Sequence, residues 1–422
     1  MNYQALWPLL TPPEHQGRED LCAKSAHRVR VTLADGRELL CATSGLWNSN
    51  LGYGNPAVAD AVADALREAS YLSAWNAENV QARQAAAELI GLAGADHYGR
   101  VLFSTSGGAA NDLAIKLVRQ YQVLRDKADR RGILALNNAF HGLTFGAAAL
   151  THAQLGQQMY GVDRRLVGHV PANNGVRLQA ALERHEGRIA ALFVEPVLGS
   201  GAIPLSDEFV ADILRLRREH GFVLVADEVS TGFGRTGGTV FASDRWPEPP
   251  DVLVTAKALT NGTLAASAVI VSREMSEAFL APDVLLGHAE TQAGTPAVGA
   301  AISATVAELR RLNTPSLSEK AGRRLGSELA ALAAEQPAIT SVTGRGCMWA
   351  LHLSVPGGSE PMAQAEVSDL VRAVRDAGAI VHPGPHCLQL IPALVYEDAE
   401  IDELLSTLQK GFANHLTTGG HR

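Results

Sequence analysis

The chain reads as an α/β protein, with a large domain built on a mainly parallel sheet and a smaller α+β domain. Three observations predict this. From about residue 100, short apolar runs (RVLFST, GILALNN, IAALFVEP, FVLVADE, DVLVTA, SAVIVS) alternate with helical stretches such as NDLAIKLVRQYQVLR and DEFVADILRLRREH. Strands that alternate with helices pair in parallel and are covered on both faces, so they are apolar throughout. After about residue 305 the pattern changes to two long Ala/Leu/Glu helices, SVTGRGCMWALHL, the helix AEVSDLVRAVRDAG, the short strands AIVHP and LQLIPAL, and a last helix. Finally, 422 residues exceed one ordinary core.

Taken in order, the first fifty-odd residues hold a small β element, HRVRVTLADGRELLCAT, whose Ala34 to Arg37 is a hairpin-turn signal. This segment is expected to join the C-terminal domain, making the small domain discontinuous. The expected division is 1–56 packing with the small domain, 57–305 as the large domain and 306–422 as the small one. The loop GLWNSNLGYGNP follows, and Asn55-Pro56 reads as N-cap and first residue of the helix AVADAVADALREA. There are no internal repeats and no low-complexity tracts.

Composition excludes several function classes. The chain is 46% hydrophobic and 19% charged, with a formal net charge of -8. That balance argues against nucleic acid and against an anionic membrane surface, both of which select clustered Lys and Arg. Cys22, Cys41, Cys347 and Cys387 form no C-x-x-C pair and no metal spacing, as expected of reduced thiols. The N-terminus MNYQALWPLLTPPEH lacks a basic start and a long apolar core, and no run is long enough to span a bilayer. A cytoplasmic enzyme without membrane or nucleic-acid partners is expected.

In open α/β sheets ligands sit at the carboxyl ends of the strands, and those ends carry the chemistry here. RVLFST runs into Ser106-Gly107-Gly108 and opens a helix, a turn that points free N–H groups at a phosphate. FVLVADEV ends on Asp227, a carboxylate too expensive to bury without a positive partner. DVLVT leads to Lys257, framed by Ala256 and Ala258, where desolvation makes an amine nucleophilic toward an aldehyde. Phosphate cradle, buried Asp and buried Lys are together the parts of a pyridoxal phosphate site.

With these residues in view, the chain resembles the class III (omega-type) aminotransferases, pyridoxal-phosphate enzymes of fold type I. The blocks that match are FSTSGGAANDLAIKLVR, FHGLTFGA, FVEPVLGSGA, LVADEVSTGFGRTG, TAKAL, GHAETQAGTPAVGAA, VTGRGCMWALHL and IPALV, spread over roughly residues 30 to 410. The resemblance implies a mostly parallel seven-stranded sheet in the large domain. It implies Lys257 as the Schiff-base lysine and Asp227 as the partner of the protonated pyridine nitrogen. Opposite charges about 4 Å apart at an effective dielectric of about 20 are worth about 4 kcal/mol, about three pKa units. By the same resemblance Phe140 stacks on one ring face and Val229 packs on the other. Ser106, Gly107 and Gly108 hold the phosphate, Thr291 reaches the phosphate of the neighbouring subunit of a homodimer, Glu195 orders the hydrogen bonds near Asp227, and His141 orients its loop. Glu228 and Arg235 are read as structural.

The chain departs from the family where relatives bind a substrate carboxylate. The family's Arg-Pro is His382-Pro383, the Arg before its Pro-Pro-Leu is Gln389, and the position of a mobile Arg carries Glu397 and Asp398. Lysine or histidine does not replace the bidentate fork of arginine. The family's Gly-Ser-Glu-Ala is Gly107-Gly108-Ala109-Ala110, without the serine hydroxyl. Trp47 and Tyr53, in the glycine-rich loop, are the candidate walls of the substrate pocket, with a hydrophobic plug between domains as the alternative for Trp47.

The implied activity is transfer of an amino group from an amine or amino acid to a ketone or aldehyde lacking an adjacent carboxylate. The resemblance extends to enzymes of modified-peptide (daptide-type) biosynthesis, which adds a peptide-borne acceptor. Racemases and aminomutases of this fold share every motif, and a diamine, polyamine or diaminopelargonate-like aminotransferase is a further alternative. LWPLLTPP resembles the start of the last group, but Leu10 stands where those carry an aromatic. A non-catalytic scaffold would keep Asp227 and Lys257 buried to no purpose.

Overall fold

A computed structural model describes residues 5–355, 358 and 360–419. Its centre is a seven-stranded sheet in the spatial order Tyr98–Ser104, Ser267–Ser272, Val252–Thr255, Val223–Asp227, Ile189–Val194, Gly132–Leu136, Val167–Val170. All neighbours are parallel except around Ser267–Ser272, which runs antiparallel to both its partners. The alternation of side chains buries both faces. Val225, Val254 and Phe193 pack under the helix Gly107–Leu124, while Leu224 and Leu192 meet Phe209 and Ile213 of the helix Asp207–His220. Each fully buried aliphatic side chain contributes about 1.5–3 kcal/mol. The edge strand Val167–Val170 escapes sequence reading because it is four residues long and contains Gly168 and His169.

Local signals place the elements. Asn55 caps the helix Pro56–Glu68, its side chain accepting from Val58 N at 3.2 Å. Ser206 caps Asp207–His220, and Gly221, at φ 65°, ends it, so that the next strand can begin at Val223. Gly36, at φ 90°, turns the chain from Arg30–Leu33 into Glu38–Cys41. Ala379–Ile380 then pairs in parallel with Leu40–Cys41, so the two ends of the chain share one sheet.

The large domain extends past the expected boundary at 306. That position lies inside the helix Pro296–Leu312, whose Val298, Ile302, Val306 and Leu309 pack with Val58, Val62 and Leu89 of the large domain. The chain breaks at Asn313, at φ 48°, and the following helix Thr314–Glu335 buries Leu325, Leu329 and Leu332 in the small-domain core. No helix among the described residues is long and apolar enough to cross a membrane.

Candidate active site

Parallel strands bring the two sequence-predicted catalytic residues to one level. Asp227 closes its strand opposite Val254, and the neighbouring strand leaves the sheet two residues later at Ala256. Lys257 takes the left-handed conformation, φ 49°, a backbone state that costs roughly 1–3 kcal/mol in a non-glycine residue and clusters at functional sites. Both side chains line a cavity of about 360 Å³ with Ser106, Gly107, Gly108, Asn111, Phe140, His141, Val229 and Ser230.

The Lys257 ammonium donates to Ser230 Oγ at 2.6 Å and lies 4.7 Å from the centre of the Trp47 ring. Burial pulls its pKa down to about 8; the charges of Asp227 and Glu195 oppose that shift and Arg235 adds to it. Asp227 is held by three donors. Its Oδ2 accepts from Asn111 Nδ2 at 2.8 Å and His141 Nδ1 at 2.7 Å, and its Oδ1 accepts from Val229 N at 3.0 Å. Burial works against the charged form of His141, but the Asp227 bond and charge outweigh it and raise its pKa. His141 thus holds the carboxylate of Asp227 in place. Asn111 and Ser230 were not singled out from the sequence. Asn111 stands on the apolar stripe of its helix with Ala114, Ile115 and Val118, and a polar residue on that face was the available signal.

Glu195, expected to order the hydrogen bonds near Asp227, is itself bonded to two backbone N–H groups. Its Oε2 accepts from Phe140 N at 2.9 Å and its Oε1 from Gly199 N at 3.0 Å, so it ties two loops together. Burial raises its carboxyl to about 7, with Asp227 adding to the shift and His141 opposing it. The glycines are there for close approach: a Cβ on Gly107 would stand 3.1 Å from Val229 Cγ1, and one on Gly142 2.6 Å from Gly108 Cα. In the first turn of the helix that Ser106 caps, the N–H groups of Gly107 and Gly108 have no carbonyl partner within the helix. Thr291 lies outside its own chain's cavity. Its carbonyl accepts from the Tyr71 hydroxyl at 3.0 Å, and the adjacent Glu290 pins that loop to Thr105 N at 3.1 Å.

Trp47 is brought beside Lys257 and Tyr53 is not. Trp47 (φ 66°) packs against Gly199, where a Cβ would come 3.1 Å from the indole, and meets the His382 ring edge-on at 5.8 Å. Tyr53 pairs its backbone with Arg28, which directs the side chain into the small sheet, and its hydroxyl sits 3.1 Å from Cys41 Sγ. The positions that departed from the family pattern have other partners. Gln389 is buried and donates to the Gly199 carbonyl, Glu397 pairs with Arg28 and Asp398 with Arg324. Among the described residues that line the cavity, Lys257 is the one lysine or arginine. Glu228 is engaged within the fold, accepting from the backbone N–H groups of Ala242 and Ser243.

A family model for class-III aminotransferases matches residues 13–412. The chain belongs to the class-III aminotransferases. The acetylornithine aminotransferase of Mycobacterium leprae is 32% identical over 93% of this chain and 91% of its own length. An omega-aminotransferase of Caulobacter vibrioides is 29% identical, with 96% of each chain covered. Among solved structures, an amine transaminase from an uncultivated Pseudomonas species, in its pyridoxal-phosphate-bound form, superposes with a TM-score of 0.92 at 26% identity, covering 98% of this chain and 99% of that one. A thermostable (S)-enantioselective omega-transaminase from Thermomicrobium roseum gives 0.92 at 27% identity, covering 98% and 97%. This aminotransferase is therefore a fold type I enzyme whose cofactor is pyridoxal phosphate. The donor set fits that group: an amine for its aldehyde, a carboxylate for its ring nitrogen and a glycine cradle for its phosphate.

Proposed function

We propose that this class-III aminotransferase moves an amino group from an amine or amino-acid donor to a ketone or aldehyde that lacks an adjacent carboxylate. The observation that carries this reading is the absence of arginine from the described residues lining the cavity, with Gln389, Glu397 and Asp398 engaged elsewhere. A carboxylate brought there would lose its water without gaining a bidentate partner.

Bound pyridoxal phosphate supplies an aldehyde that captures amines and a pyridinium ring that draws electron density from the substrate carbon. Lys257 Nζ, whose lowered pKa of about 8 leaves part of it unprotonated near neutral pH, is the base that takes the proton leaving that carbon and returns it. Ser230 Oγ fixes the amine. Asp227, clamped by Asn111, His141 and Val229 N, would hold the ring nitrogen, and Phe140 and Val229, which line the same cavity, would bound the ring. Gly107 and Gly108 would take the phosphate, and Thr291 would reach the phosphate of a second copy, so a homodimer would be the working unit. Four unpaired cysteines support a reducing, cytoplasmic setting.

The test is a donor panel assayed with an added keto acid. An amine without a carboxylate is expected to exceed its matched omega-amino acid in kcat/KM by about tenfold or more, since an unpaired buried group costs about 1–3 kcal/mol. A tenfold preference for the amino acid overturns the reading. Racemisation of the donor without net transfer assigns the racemase alternative.

A further inference from the structure

The cavity has a polar group that the cofactor assignment leaves over. Outside the residues given to the cofactor and those flanking them, its wall is made by Asn48 and the turn 262–266. Within that set Asn48 and Thr263 carry the polar side chains, and both are uncharged. Asn48 follows Trp47 in the glycine-rich loop, and its backbone N–H donates to the Ser44 carbonyl at 3.0 Å.

The surrounding chain is shaped to the Asn48 amide. Its Oδ1 accepts from Leu46 N and from Ser49 Oγ, both at 3.3 Å. A backbone N–H can only donate, which identifies that atom as the oxygen and makes Nδ2 the other end. A Cβ on Gly45 (φ 72°) would stand 2.5 Å from Oδ1, and one on Gly262 (φ 71°) 2.8 Å from Nδ2, so both positions need glycine. The amide is also fixed relative to the reacting lysine. Gly262 N donates to the Lys257 carbonyl at 3.2 Å. The neighbouring Asn261 joins the two loops, its Oδ1 accepting from Leu51 N at 2.8 Å and its Nδ2 donating to the Gly52 carbonyl at 2.9 Å. Among the described residues, Asn48 Nδ2 has no acceptor. Stapling the loop uses Oδ1 alone; the donor end is left for what enters the cavity.

We propose that Asn48 determines specificity by donating from Nδ2 to an uncharged oxygen near the reacting carbon of the substrate. The substrate class is then an amine, with the ketone or aldehyde formed from it, that carries an ether, hydroxyl or carbonyl oxygen. This rests on the carboxylate-free reading above and narrows it. One amide N–H offers a neutral hydrogen bond, which satisfies an uncharged acceptor, whereas a carboxylate calls for a charged, bidentate partner.

The test uses the holoenzyme and two matched amines, 1-methoxypropan-2-amine and pentan-2-amine, which differ by an ether oxygen in place of a methylene. An ether oxygen can only accept. The second-order rate constant of the donor half-reaction is read from the visible absorption of the cofactor for wild type, Asn48→Leu and Asn48→Asp. Asn48→Asp keeps an acceptor for Leu46 N and Ser49 Oγ and loses the donor, so it decides the matter if Asn48→Leu does not fold. The ratio of the ether amine to the alkyl amine is expected to fall about tenfold in both variants, within the range of one neutral hydrogen bond. Taking the ratio within each variant cancels the effect of the added charge on amine binding. An unchanged ratio in either folded variant overturns the proposal and leaves Asn48 a staple of its loop. A wild type that neither amine discharges, while an omega-amino acid does, fells the carboxylate-free reading and this proposal with it, a distinguishable failure.

Discussion

Replacing Asn111 with leucine removes the amide that joins Asp227 to His141 while keeping the branched shape of the side chain. The amide makes two bonds, to Asp227 Oδ2 and to the His141 carbonyl, both 2.8 Å. A hydrogen bond to a charged group contributes about 1.5–3 kcal/mol and one between neutral groups about 0.5–1.5, so their loss costs about 2–4 kcal/mol. The same side chain also carries a buried Oδ1 with no partner, and deleting an unpaired buried acceptor returns about 1–3 kcal/mol. The two nearly offset, and the cofactor-free protein should lose only about 1 kcal/mol. For a chain of this length that is a fall of roughly 1–2 °C in thermal midpoint. Cofactor retention should suffer more, because Asp227 keeps two of its three donors and turns more freely; about tenfold weaker binding, about 1.4 kcal/mol, is expected. The assay is a pair of thermal melts, with and without added pyridoxal phosphate, the difference between them reading out cofactor binding. A fall of more than about 5 °C without cofactor, with cofactor binding intact, would refute the reasoning and make Asn111 a packing residue.

Three further outcomes are expected. Trp47→Ala should change the ratio of kcat/KM between a bulky and a small donor by about tenfold while the cofactor stays bound, the scale of one aromatic contact with substrate; cofactor loss would instead make Trp47 an interdomain plug. Tyr53→Phe should leave kcat/KM within about twofold and cost about 1 kcal/mol in urea denaturation, the worth of its bond to Cys41; a loss of activity beyond tenfold would return Tyr53 to the pocket. Glu195, raised by burial from 4.5 to about 7, holds its proton more tightly folded than unfolded. Its contribution is therefore greatest below about pH 4.5 and declines as pH rises to about 7. Glu195→Gln should remove up to about 3 kcal/mol of that decline between pH 4.5 and 7 in urea titrations, and an unaltered slope would count against burial as the cause.

Much of the site could be read along the chain because its parts lie at the ends of strands, which apolar runs announce. Asp227, Lys257 and Gly107-Gly108 each follow such a run, and the structure brings them to one cavity. Legibility failed where a residue's role depends on what another segment places against it. Asn111 sits inside a helix that reads as apolar, and Ser230 in a loop with no pattern; each acquires its role from a partner over twenty positions away. Tyr53 shares a loop with Trp47, yet a backbone pairing with Arg28 turns it toward the small sheet. The boundary expected at 306 fell inside a helix because the Ala-rich pattern does not change there, whereas the break at Asn313 is conformational.

The sequence by itself determined the class of sheet, where most of its strands fall along the chain, and the cofactor. These are local facts, in that each strand and the residue ending it are adjacent in the chain, so periodicity and composition reveal them. Only the tertiary structure decided what clamps Asp227, what lies over Lys257, and which charges face each other across the domain joint. Those depend on side chains from distant segments meeting at hydrogen-bond distance in a water-poor interior, where an unpartnered group costs several times what it would at the surface. The sequence contains Arg235 and Asn50; only folding sets one against the other and buries the guanidinium among neutral partners.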